Sequence, residues 1–70
     1  MNAPKATFAV LRTGGLWRVL APGETYRTYD YRIDAEEAAL KLADLARAAG
    51  SETEILTQDR FGELRELRIG

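Results

Sequence analysis

The chain contains no cysteine and no histidine. Their absence removes disulfides, thiol nucleophiles, Cys–His dyads, Ser-His-Asp triads and zinc sites of the usual Cys/His kind, so any metal would rest on carboxylates alone. Proline is scarce, with 2 residues, and aromatics make up 9% of the chain. No apolar run approaches the roughly 18 residues of a membrane span, and the opening MNAPKA lacks the apolar stretch of a secretory leader. The expectation is a cytoplasmic, soluble protein. An excess of charge of one sign is missing as well. Ten Lys and Arg face 11 Asp and Glu, a formal net charge of -1, so no global field draws in nucleic acid or an anionic membrane.

What is present is a globular composition, 46% hydrophobic and 30% charged over 70 residues, enough for one domain and too little for two cores. Of the apolar residues 11 are alanine, which contributes little transfer free energy. For a chain of this size burial and ordering entropy nearly cancel. With no disulfide and no structural metal, oligomerisation is the remaining common source of stability.

Met1 to Ala6 reads as a disordered tail, and residues 7–70 as a single α+β domain. Thr7 to Arg12 is apolar and β-branched, Leu16 to Leu20 is a second apolar run, and Gly14-Gly15 between them is a strong hairpin signal. Pro22-Gly23 predicts another reversal into a third strand, Thr25 to Tyr31. Asp34-Ala35-Glu36-Glu37 reads as a helix start, with Asp34 as N-cap and Glu37 at the capping-box position, and Gly50 reads as its end. At about 100° per residue, Ala35, Ala38, Ala39, Leu42, Leu45, Ala46 and Ala49 share one stripe. Thr53 to Gln58 and Glu63 to Ile69 flank an Asp59-Arg60-Phe61-Gly62 turn as two final strands. The expected fold is α+β: a single antiparallel sheet, β-β-β-α-β-β, with one helix packed on one face.

Alternation puts Trp17 and Val19 on one side of the second strand and Leu16, Arg18 and Leu20 on the other; Phe8 and Val10 oppose Ala9 and Leu11 in the same way. Both faces are therefore apolar, and one helix covers only one of them. Trp17, Val19, Phe8, Val10, Leu42 and Leu45 are the expected core. Leu11, Leu16, Leu20, Tyr29 and Tyr31 are expected on the second face. Leu40, whose helical angle falls among polar residues, and Phe61 at the turn tip complete the candidate interaction surface. The expected partner is a second copy of the chain, forming a homodimer, with another protein as the alternative.

Tyr26, Tyr29 and Tyr31 with Arg18, Arg27 and Arg32 suggest a base-stacking sheet surface, but the charge balance argues against nucleic acid as a partner. Glu36 with Glu37, Glu52 with Glu54, and Asp59 with Glu63 are carboxylate pairs. The first is explained by the helix dipole, and Asp59 by its turn. No catalytic residue, metal ligand or cofactor-binding residue is nominated, and no enzymatic activity, cofactor or membrane contact is expected.

The segments GGLW, DAEEAALKLADLARAAGSETEIL and QDRFGELRELR, spanning Gly14 to Arg68, resemble a bacterial family of very short ββαββ-type proteins with no assigned activity. That resemblance implies the fold and adds no catalytic residue. YRIDAEEAALKLA is similar, more weakly, to the βββα core of antitoxins, which implies a basic protein partner bound through the sheet.

Overall fold

The computed structural model describes residues 5–23 and 27–67. Strand β1 (Lys5–Thr13) and strand β2 (Leu16–Leu20) form the hairpin that Gly14-Gly15 predicts, with Thr13 opposite Leu16. Gly14 has φ 61°, the positive value that the first loop residue of a two-residue II′ hairpin takes. Strand β3 (Arg27–Tyr29) pairs antiparallel with β2. Helix α1 (Arg32–Ala48) follows, then strand β4 (Glu52–Gln58) and strand β5 (Leu64–Glu66). β1 starts two residues before the expected Thr7, because Lys5 and Ala6 pair with Glu52 and Thr53. Met1 to Pro4, Thr25 and Tyr26 of the expected third strand, and Arg68 and Ile69 of the expected fifth lie outside the described residues.

The sheet is mixed, not antiparallel. Its order is β3-β2-β1-β4-β5, and β1 and β4 at its centre run parallel. Chain parity is the reason. Three meander strands leave β3 running the same way as β1, and the helix returns the chain to the end at which β1 started. The next strand must then run parallel to β1, whose second edge is the one left open by β2. β1 suits that central place because it is apolar on both faces.

Helix α1 lies over Phe8, Val10, Val19 and Ile55, which with Ala35, Ala39 and Ala43 are the buried hydrophobic residues among those described. The three alanines are spaced by four, a ridge with no side chain beyond Cβ, so the helix backbone approaches the sheet closely. Trp17, Leu42, Leu40 and Ala46 pack around this centre, half-buried. Leu45, expected in the core, is 69% exposed. The helix is turned about its axis toward Ala43 and Leu40, because the alanine ridge seats better on the sheet than a face containing Leu45.

The helix also begins before Asp34. Its N-cap is Tyr31, extended at φ -124° and ψ 144°, with no side-chain capping bond; the Ala35 N–H donates to the Tyr31 carbonyl at 3.2 Å. Asp34 is left in the first turn, where its charge still favours the dipole. This start brings the Arg32 guanidinium to 5.3 Å from the Trp17 ring centroid. At the other end Gly50, at φ 96°, closes a Schellman motif. Ser51 N–H donates to the Ala46 carbonyl at 3.0 Å and Gly50 N–H to that of Arg47 at 2.9 Å.

Candidate functional site

Cross-strand partners share a face, so the registers define what the uncovered side of the sheet carries. In one row Ala9 on β1 has Leu20 on β2 and Leu56 on β4 as its two neighbours, with Glu66 beyond Leu56 on β5. In the next, Leu11 faces Arg18, and Arg18 faces Thr28. Leu16 opposite Thr13, and Leu64 opposite Gln58, close the end nearest the hairpin turns. Leu16 is 42% exposed, Leu20 37% and Leu64 49%, while Leu11, Leu56 and Arg18 are half-buried within the face. Among the described residues a helix sits on the opposite side only. The result is a leucine-rich surface whose centre is the small side chain of Ala9.

The far end of this face is polar. Lys5 pairs with Glu52 and Thr7 with Glu54, and Lys5 Nζ lies 2.7 Å from Glu54 Oε2. That hydrogen bond, reinforced by the Glu54 charge, raises the Lys5 ammonium above its ordinary 10.5.

The structure divides the expected interaction residues. Leu11, Leu16 and Leu20 share the open face. Tyr29 does not: it pairs with Trp17 on the helix side and packs against the core. Tyr31 leaves the sheet as the helix N-cap and is 68% exposed. Leu40 is half-buried against the core, brought there by the turn of the helix. Phe61 stands at the β4–β5 turn, 78% exposed, with the Arg60 guanidinium 5.6 Å from its ring centroid. The expected Tyr/Arg stacking surface is likewise split, since Arg18 and Thr28 lie on the open face while Arg27 and Tyr29 lie on the other. Tyr26 is outside the described residues.

Leu56 and Leu64 also belong to the open face, beyond the expected interaction residues. Leu56 was legible from its alternation with Ile55; Leu64 follows only from the β4–β5 register.

The β4–β5 connection is built around Asp59. Its Oδ1 accepts from the Phe61 N–H at 2.9 Å and the Glu63 N–H at 3.0 Å, and its Oδ2 from Arg65 Nε at 2.7 Å. The Arg65 hydrogen bond is the largest influence and holds the carboxyl below its ordinary 3.8; desolvation, the second, opposes it, and the Glu63 and Phe61 amides add to the lowering. Gln58 ties this turn to the first hairpin: its Nε2 donates to the Gly62 carbonyl and its Oε1 accepts from the Arg12 N–H, both at 2.9 Å. Arg65 lies between the two carboxylates of this turn, 2.7 Å from Asp59 Oδ2 and 3.7 Å from Glu63 Oε2.

A concavity of about 520 Å³ lies between α1 and the β2–β3 side of the sheet, with Arg27, Asp34, Glu37 and Lys41 in its lining. Its charges are of both signs. No helix among the described residues is long and apolar enough to cross a membrane. Compared with known proteins, the chain matches no family model, no curated protein and no solved structure.

Proposed function

We propose that the chain is a non-enzymatic protein-interaction module that works through the open face of its sheet. One observation carries this reading: Leu11, Leu16, Leu20, Leu56 and Leu64 stand together on the side of the sheet opposite the helix. A contiguous apolar face with a polar border is the form of a docking surface, whereas scattered single leucines are not. Arg18 sits within the face and the Lys5–Glu54 pair at its border, so orientation is set by charge while affinity comes from leucine burial.

The test is photo-crosslinking in cells that make the chain, with the photoreactive residue at Leu20 on the open face or at exposed Lys41 on the helix. Adducts are expected from position 20 and not from position 41. Equal adduct patterns from both positions, or none from position 20 in a folded protein, would refute the reading.

A further inference from the structure

We infer that the partner of the open face is a second copy of this chain, packed sheet against sheet. This rests on the interaction reading above and names the occupant of the same surface.

Stability points to a partner that is present whenever the chain is made. Among the described residues the helix side of the sheet buries Phe8, Val10, Val19 and Ile55 against Ala35, Ala39 and Ala43, a core of few large side chains. Stacking two open faces adds a second apolar layer and converts each half-covered sheet into one covered on both sides.

Charge points the same way. Over the described residues the open face and its border hold Lys5 and Arg18 against Glu52, Glu54 and Glu66. A surface made for a strongly basic or acidic partner carries one sign. A near-balanced border around apolar residues is compatible with itself across a two-fold axis, where the same patch serves both subunits.

Area is sufficient. The five strands are 9, 5, 3, 7 and 3 residues long, and at about 3.3 Å per residue and about 4.8 Å between strands they make a face of roughly 430 Å² in projection. Two such faces, with side-chain relief, remove on the order of 1,000 Å² from water, about the size that a biological interface must clear. Ala9 supplies the relief: flanked by Leu20 and Leu56, it leaves a hollow into which a leucine of the other copy fits.

The experiment is light scattering on the full chain across a wide concentration range at low and high salt, with thermal unfolding on the same samples. A mass twice 7.8 kDa that persists at high salt is expected, with a midpoint that rises with protein concentration. Leu56→Lys places a charge in the interface while Glu66 opposite supplies its counter-charge within the sheet. It is expected to weaken self-association about a hundredfold, whereas Leu45→Lys on the helix leaves it unchanged. Isotope-filtered NOEs between labelled and unlabelled wild-type copies locate the contact without any variant, and are expected among the Leu11, Leu20 and Leu56 methyl groups. A monomer at every concentration overturns the second-copy assignment. So does a dimer whose NOEs lie on the helix. If the monomer still crosslinks from position 20 to another protein, the interaction reading survives; if it does not, both fall.

Discussion

Asp59 is the residue on which one turn of the molecule depends. Its carboxylate accepts from two backbone N–H groups and from Arg65, and these bonds favour the charged form, so its folded pKa lies below the ordinary 3.8. A depressed folded value means that the stabilisation is fully present above the unfolded pKa and is lost as pH falls from there through the folded one. The Phe61 and Glu63 amide resonances are therefore expected to move together below about pH 4, and Asp59→Asn to abolish that transition. An NMR pH titration of both proteins checks this, and unchanged amides in the wild type would contradict it. High salt is expected to reduce the Arg65 part of the effect, since Arg65 is exposed.

Among the elements, helix α1 carries two features that substitution can expose. Its N-cap is a tyrosine that makes no capping bond, so Tyr31→Asn or Tyr31→Asp supplies an acceptor for the N–H groups of the first turn. A gain of about 1 kcal/mol is expected in urea unfolding. The second feature is the alanine ridge. Ala39 is fully buried on the sheet-facing side of the helix, and Ala39→Leu adds volume where the backbone approaches the sheet. The expected loss is about 1–3 kcal/mol. The same change at exposed Ala48 is expected to cost little, and equal costs at the two positions would mean that the helix does not pack by that ridge. On the sheet side of the helix, Glu36 Oε2 accepts from Thr57 Oγ1 at 3.1 Å, joining the helix to β4 by a polar contact beside the apolar one.

At the scale of the whole molecule, β1 is the strand that every other part needs. It pairs with β2 and β4 and supplies Phe8 and Val10 to the core. The β1–β2 hairpin has a well-specified turn, yet its apolar faces are covered by nothing local. A peptide of residues 5–20 is expected to show no stable hairpin by NMR, because two strands without a third or a helix are marginal in water. A stably folded peptide would place the stability in the turn and not in the assembled core.

Much of this was legible in the residues themselves. Leu16–Leu20 was bounded by Gly14-Gly15 on one side and Pro22-Gly23 on the other, and Gly50 marked the helix end, because turn chemistry and alternation depend on neighbours in the chain. The separation of Phe8, Val10, Trp17 and Val19 from Leu11, Leu16 and Leu20 followed from period-two geometry alone. The chain by itself therefore determined the elements, their order and the two-faced sheet. Only the tertiary structure decided that β4 joins β1 in parallel, since Lys5 and Glu52 are brought together by the path of the helix and not by any local preference. It also decided which face the helix covers, turned Leu45 outward and Leu40 inward, and moved Tyr29 to the core side. Each of these is set by how closely an alanine ridge can approach a particular row of side chains, a property of two packed surfaces that neither segment possesses alone.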